Sequence, residues 1–142
     1  MPNWVIYGLI AAVCFGITTV MFKAAQQKGN LSPYHVSFIF GLGIILIFGV
    51  LLIFNPIAKI EWKPSALALT AGIIWGIGML AVAIAIAQKA DVARLAPIYN
   101  INTLITVLLG IIFLHEIPDA SHLFRVIAGA VLVVVGAVLV SI

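Results

Sequence analysis

Among the long apolar stretches of this 142-residue chain, the fourth carries the most concentrated group of polar side chains. Pro97 is followed there by a tyrosine, two asparagines and two threonines, at Tyr99, Asn100, Asn102, Thr103 and Thr106. At helical spacing Asn100 and Thr103 share one ridge, and the other three share the adjoining ridge. Amides and hydroxyls bind small molecules by hydrogen bonds, and a tyrosine ring adds a face for stacking or for a cation. The pattern predicts a polar binding surface, and Pro97, which has no backbone N–H, is expected to loosen the turn before it.

The elements that position these residues must cross a membrane. Apolar residues make up 65% of the chain and charged residues 8%, which leaves no polar surface for a water-soluble protein. About 20 helical residues cross a hydrocarbon core of roughly 30 Å. Five apolar stretches reach this length, at residues 4–22, 35–54, 65–87, 95–114 and 123–142. The sequence predicts an all-α integral membrane protein of five transmembrane helices, multi-pass in the cell membrane, with one domain over 1–142.

Two other spans carry polar or bulky groups at their centre. Tyr7, Cys14 and Thr18 fall on one stripe of the first span. Trp75 lies near the middle of the third span, although tryptophan prefers the membrane interface. Intramembrane polar groups commonly mark pathways, so a cavity is the preferred interpretation for the fourth span, with helix-to-helix hydrogen bonding as the competing one. For Thr18 the preferred interpretation is a hydrogen bond to its own helix.

Small residues indicate where helices approach closely. Gly129 and Gly136 are seven residues apart on the fifth span, with Ala130 and Ala137 repeating beside them, and Gly72 and Gly76 offer a second such surface on the third. The second span, rich in Ile, Leu and Phe, is interpreted as lipid-facing or scaffold. Between the third and fourth spans there is no Gly or Pro, and the polar residues there are Gln88, Lys89, Asp91 and Arg94. Either a very tight turn or one long bent helix fits this link.

The loops give almost no signal for orientation. An odd number of spans puts the two ends on opposite sides, and orientation follows the excess of Lys and Arg in short loops. One side carries Lys59, Lys63 and Arg125, and the other carries Lys23, Lys28, Lys89 and Arg94. This near balance predicts a chain that inserts both ways up, and it suggests one half of an inverted-repeat transporter.

Catalysis, metal binding and nucleic-acid binding are poorly supported. The three histidines occupy separate span edges without ligand spacing, at His35, His115 and His122. No nucleophile lies beside a base, and all four acids lie in loops or at span edges, at Glu61, Asp91, Glu116 and Asp119. The net charge of +3 is spread over four loops. We therefore expect no enzyme, no cofactor, no metal and no nucleic acid as partner.

Three segments of the chain resemble one transporter family. They are residues 93–98, with Pro97; residues 108–116, ending Leu114-His115-Glu116; and residues 127–130, followed by Gly136. These segments resemble the EamA family of the drug/metabolite transporter superfamily, and the first span is similar to the family's first helix. His115 replaces the family's usual glycine. Typical members carry two inverted repeats in ten helices, whereas this chain resembles one repeat. The resemblance therefore implies one half of a ten-helix inverted-repeat bundle.

The resemblance also implies a substrate cavity lined by the first, third and fourth helices of each repeat. The expected cavity residues are Thr18, Trp75, Tyr99, Asn100 and Thr103. Two repeats would rock about a midplane site, so the second repeat must come from a second, antiparallel copy of the chain or from a homologous half-transporter. The expected substrate is a metabolite, an amino acid or a drug-like molecule, neutral, zwitterionic or amphipathic rather than strongly anionic.

Two alternatives to this small-molecule transporter stay open. One is a lipid-linked carrier or flippase subunit, whose groove opens to membrane lipid so that a polar headgroup crosses along the fourth helix. The other is a non-transporting membrane assembly subunit, in which the polar residues of the fourth span bind a partner protein.

Overall fold

The computed structural model describes residues 3–57, 59–116 and 120–141. In this part of the chain there are six α-helices and no strand: α1 (Asn3–Gly29), α2 (Pro33–Phe54), α3 (Trp62–Ala87), α4 (Val92–Tyr99), α5 (Asn102–Phe113) and α6 (Ala120–Ser141). Five segments are long and apolar enough to span a membrane, and α4 and α5 together form one of them, Val92–Phe113. The prediction of an all-α, multi-pass integral membrane protein is confirmed.

Several helices extend beyond the apolar stretches. Helix α1 continues seven residues past Phe22 and ends at Gly29, and α3 begins at Trp62 rather than at residue 65. The reason is that Lys and Gln are good helix formers. An apolar stretch measures the membrane-embedded length, whereas the helix stops only where its backbone hydrogen bonds stop.

The start of α2 is fixed by a local cap. Ser32 has an extended backbone and its hydroxyl accepts a hydrogen bond from the His35 amide at 3.4 Å. The same hydroxyl lies 2.8 Å from Nδ1 of the His35 ring. Pro33 occupies the first turn, where its missing N–H leaves no bond unmade. A serine cap followed by proline is a strong helix start.

A tight turn separates α3 from α4. Helix α3 ends at Ala87, and Lys89 takes the left-handed conformation with φ 68° before α4 begins at Val92. The Lys89 amide donates to the Ile86 carbonyl at 2.9 Å. Of the two conformations that the sequence allows for this link, the structure shows the tight turn.

The chain divides into two compact units, Met1–Lys89 and Ala90–Ile142, called here the N-terminal and C-terminal units. The prediction of one domain over 1–142 stays a prediction. Within the N-terminal unit α3 packs against both α1 and α2. Its buried side chains lie toward the last turns of α1, the first turns of α2 and the last turns of α3, at Thr19, Phe22, Gln26, Val36, Ala83 and Ile86. We call this region the closed end.

In the C-terminal unit α6 packs against both α4 and α5. Ala130 and Ala137 are the buried residues of α6 in the described part of this unit, with 4% and 2% of their surface exposed. They are seven residues apart and so lie on one face. Their small side chains are the ones that allow the close approach inside this unit.

Candidate functional site

The fourth span is broken at its most polar point. A single helix was expected at 95–114, whereas the structure has two helices that flank Asn100 and Ile101. The amides of Ile101, Thr103 and Leu104 donate to carbonyls three residues earlier, at 3.2, 3.0 and 3.0 Å. Such i→i+3 bonds tighten the backbone out of the α-helical repeat. Pro97 lies within α4, and the break lies after it rather than in the preceding turn.

The polar side chains cluster around this break. Asn100, Asn102, Thr103 and Thr106 are exposed in the single chain, and Tyr99 is partly buried. Asn100 is the C-terminal cap residue of α4, and its backbone N–H donates to the Ala96 carbonyl at 3.1 Å. A bilayer core offers no water to exposed amides and hydroxyls, so these groups must face a cavity or protein. Three of the five predicted cavity residues, Tyr99, Asn100 and Thr103, therefore lie together at one break.

Thr18 lies in the N-terminal unit, partly buried on α1. Its hydroxyl donates to the Cys14 carbonyl at 2.8 Å, as its mid-helix position predicts. Thr70 makes the same bond to Ala66 in α3. A hydroxyl that donates to its own helix can still accept a hydrogen bond, so Thr18 can offer a ligand an acceptor.

Trp75 is part of a contact between three aromatic rings. Its indole is 43% exposed, and its ring centroid lies 5.4 Å from that of Phe40 on α2, with an interplanar angle of 35°. Phe40 in turn meets Phe22 of α1 edge to face, at 4.9 Å and 81°. We call Phe22, Phe40 and Trp75 the aromatic column. It joins all three helices of the N-terminal unit, and Phe22 lies one turn after Thr18 on α1.

Phe40 could not be singled out from the sequence, because the second span is rich in Ile, Leu and Phe and no polar pattern marks its inward face. The interpretation of that span as lipid-facing or scaffold stays a prediction, and Phe40 is a residue of the span that contacts a predicted cavity residue. A signal for Phe22 was available, since it shares a ridge with Thr18 at a spacing of four.

Gln26 is a second feature that the sequence did not indicate. Its side chain is 9% exposed, and Nε2 donates to the Ala83 carbonyl of α3 at 3.1 Å. Its Oε1 is buried with no hydrogen-bond partner in the described residues, as is the Ser37 hydroxyl on α2. Gln26 lies beyond the predicted end of the first span at residue 22, so the polar residues within the spans do not include it.

The four predicted packing glycines lie on open faces of the chain. A Cβ added at Gly72, Gly76, Gly129 or Gly136 would meet no atom within 4 Å. Inside the C-terminal unit the buried small residues are Ala130 and Ala137. The role of the glycines in helix packing therefore stays a prediction.

The link after α5 carries His115, where the resemblance to the EamA family implies a glycine. His115 has φ 53°, in the left-handed region that glycine adopts without strain. The Glu116 amide donates to the Gly110 carbonyl at 3.3 Å, and a Cβ at Gly110 would lie 3.4 Å from Glu116 Oε2. Among the described residues there is no group of three or more His, Cys, Asp or Glu side chains that could hold a metal ion. His122 and Asp119 lie outside the described side chains.

Five apolar spans, with a polar break inside the fourth, define a multi-pass integral membrane protein with polar groups at bilayer depth. The sequence pattern of the EamA-like transporter family matches residues 2–142. The chain belongs to this family, as its resemblance predicted, and it is therefore a membrane transporter of the drug/metabolite kind. The family is not an enzyme family, and its members lie in contact with lipid and move small molecules.

A relative of similar length supports the assignment. The chain is 31% identical over 142 residues to a protein of Methanocaldococcus jannaschii that is described as uncharacterized, and the match covers all of this chain and 98% of the relative. No solved structure matches the chain.

Proposed function

We propose that the protein exports or imports a small molecule by alternating access, as an inverted homodimer with a cavity near the middle of the membrane. Each copy supplies one repeat of the ten-helix arrangement. The substrate is a metabolite, an amino acid or a drug-like molecule. The observation that carries the proposal is the broken fourth span, whose exposed polar residues lie where the bilayer offers no water.

Broken helices suit this task for a physical reason. Where a transmembrane helix is interrupted, polar side chains become available to a ligand at the depth where transporters bind substrate. The break at Asn100 and Ile101 leaves Tyr99 and Thr103 on either side of it. We assign hydrogen bonding to Asn100 and Thr103 and a stacking face to Tyr99. Thr18 and Trp75 complete the set from the first and third spans.

The absence of charge from these five side chains limits the substrate. None of the five is acidic or basic, so a strongly anionic substrate would lack a counter-charge in a medium of low dielectric constant. The indole and phenol rings favour a planar or cationic group. The proposed substrate is accordingly neutral, zwitterionic or amphipathic.

Two observations support a second copy of the chain in the opposite orientation. The basic residues of the loops are split three against four between the two sides, so the positive-inside rule does not select one orientation. In addition, Gly72, Gly76, Gly129 and Gly136 all face open space in the single chain. Such faces allow a helix of another copy to approach closely.

Orientation is the first test. Ile60→Cys and Gln88→Cys, each in a Cys14→Ser background, place a single thiol in two loops that should lie on opposite sides, without changing any charge. Intact cells are treated with a membrane-impermeant thiol reagent, and permeabilised cells give the total. Partial labelling of both variants is expected for a chain that inserts both ways. Full labelling of one and none of the other would contradict the inverted homodimer.

Flux then tests whether both orientations are needed. Two lysines at Ile57 and Ile60 should lock one orientation, and two at Gln27 and Gln88 should lock the other. Cells that express either locked variant alone should transport none of a panel of amino acids and cationic dyes that the parent moves. Co-expression of the two variants should restore flux. A locked variant with full activity by itself would refute the inverted pair.

A further inference from the structure

We infer that Phe40, on the second span, is a positioning residue that holds the Trp75 indole at a fixed angle so that its open face can stack on a planar or cationic group of the substrate. The inference deepens the proposed function and rests on it for the place of Trp75 in the cavity. It assigns a role to a helix that the sequence indicates only as scaffold.

Trp75 is supported by one ring and remains partly exposed. Its ring centroid lies 5.4 Å from that of Phe40, the two ring planes are tilted by 35°, and 43% of Trp75 is exposed, so part of its surface is open to a ligand. Aromatic pairs at 4.5–7 Å attract each other beyond the effect of buried area. Phe40 therefore selects one orientation of the indole from those that its side-chain torsions allow.

Phe22 supports Phe40 from behind. Phe22 is 4% exposed, and its ring meets Phe40 edge to face at 4.9 Å. A buried ring moves little because its neighbours are close-packed. The aromatic column thus links the free face of Trp75 to the closed end of the N-terminal unit, and an indole held in advance loses less entropy when a ligand binds.

The indole's motion can be measured without any substrate. The chain has three tryptophans, so the double substitution Trp4→Phe and Trp62→Phe leaves Trp75 as the single fluorophore excited at the red edge of the tryptophan absorption band. Time-resolved fluorescence anisotropy in nanodiscs should show that the indole reorients only with the whole protein. Phe40→Leu should add a fast local motion, Phe22→Leu a smaller one, and Phe40→Tyr should keep the indole fixed.

Phe38 provides the matched control. It is the same residue type on the same helix, two positions away and 66% exposed. Phe38→Leu should leave the anisotropy decay unchanged. An indole that is as fixed in Phe40→Leu as in the parent would overturn the inference, and so would an equal change in Phe38→Leu.

Binding is tested with 1-methylpyridinium, a planar cation that quenches tryptophan. Saturable quenching of Trp75 is expected, with a half-saturating concentration about three- to tenfold higher in Phe40→Leu, the range that loss of one aromatic pair would give. Phe40→Tyr should restore the parent value. For any transported planar cation, Phe40→Leu should raise KM and leave kcat unchanged, because a held ring improves binding in ground state and transition state alike.

The two measurements separate the possible failures. If the parent shows no saturable quenching, the planar-cation substrate class is wrong, and anisotropy alone still decides whether Phe40 holds the indole. If quenching saturates equally in the parent and in Phe40→Leu, Trp75 binds ligand but Phe40 does not position it. If thiol labelling contradicts the inverted homodimer, the proposed function fails, while the anisotropy result stands.

Discussion

Replacing Gln26 by glutamate tests whether the closed end is held together by the hydrogen bond from α1 to α3. The substitution keeps the shape of the side chain and changes the donor. Nε2, which donates to the Ala83 carbonyl at 3.1 Å, becomes an oxygen that can donate only when the carboxyl group carries a proton. An ionised carboxylate there would face a carbonyl oxygen in a site that is 9% exposed, which is strongly unfavourable.

The size of the effect follows from the cost of keeping that proton. Each pH unit corresponds to about 1.4 kcal/mol, and pH 7 lies roughly 2.7 units above the ordinary glutamate pKa of about 4.3, which gives about 3.7 kcal/mol. This is an upper limit, because Lys23 lies one turn earlier on α1 and its positive charge would favour the carboxylate. The penalty should be largest at neutral pH and should vanish below about pH 4.3, where the carboxyl group is protonated in folded and unfolded chains alike.

The free energy of unfolding in mixed detergent micelles, at pH 7 and at pH 4, measures this effect. Gln27→Glu is the matched control, because Gln27 is the neighbouring residue and is exposed, so its change should stay within about 0.5 kcal/mol. If Gln26→Glu unfolds at pH 7 like the parent, the bond to Ala83 does not hold the closed end. An equal loss in both glutamate variants would refute the argument from burial.

Three further predictions concern the C-terminal unit. His115→Gly should raise the free energy of unfolding by about 1 kcal/mol, because glycine removes the strain at φ 53°. Leu114→Gly, at φ −96°, should instead lower the free energy of unfolding. A gain from Leu114→Gly and a loss from His115→Gly would contradict these backbone conformations. Ala137→Leu should destabilise the fold by about 1–3 kcal/mol through overpacking of a site that is 2% exposed. Gly136→Ala should not lower the free energy of unfolding of the single chain, because alanine is the better helix former, but it should weaken self-association in cross-linking. Gly8→Ala, also in open space, is the control and should leave self-association unchanged. Asn100→Ala and Thr103→Ala should each lower substrate affinity about fivefold, as the loss of one hydrogen bond to the ligand predicts. Neither variant should change the amount of protein in the membrane. Unchanged flux together with altered partner binding would instead favour the interpretation of the protein as a membrane assembly subunit.

The number and type of the spans could be predicted from the sequence, since length and apolarity alone decide them in a bilayer. The break in the fourth span could not be placed. Pro97 can be read in the sequence, but the i→i+3 hydrogen bonds at Ile101 and Thr103 depend on the backbone conformation after it. The periodicity of polar residues assumes a continuous helix, so it cannot show where a backbone amide changes its hydrogen-bond partner.

The candidate site was predictable where polarity stands out against apolar surroundings. Tyr99, Asn100 and Thr103 are conspicuous for that reason. Phe40 and Gln26 were not, for opposite reasons: Phe40 is one apolar residue among many in α2, and Gln26 is one polar residue among several after residue 22. Their importance comes from contacts with Trp75 and Ala83, which lie far away in sequence.

In the described part of the chain, three links between helices contain a residue other than glycine in the left-handed conformation: Asn30 at φ 48°, Lys89 at φ 68° and His115 at φ 53°. At each position one substitution to glycine relieves strain outside the membrane-spanning helices, and the effects of distant sites should add. The same glycines would also make each link freer to move. A set of single-glycine variants would thus show which links bend during transport. At a link that stays rigid, glycine should raise only the thermal stability of the protein. At a link that bends in every transport cycle, glycine should change the turnover number as well.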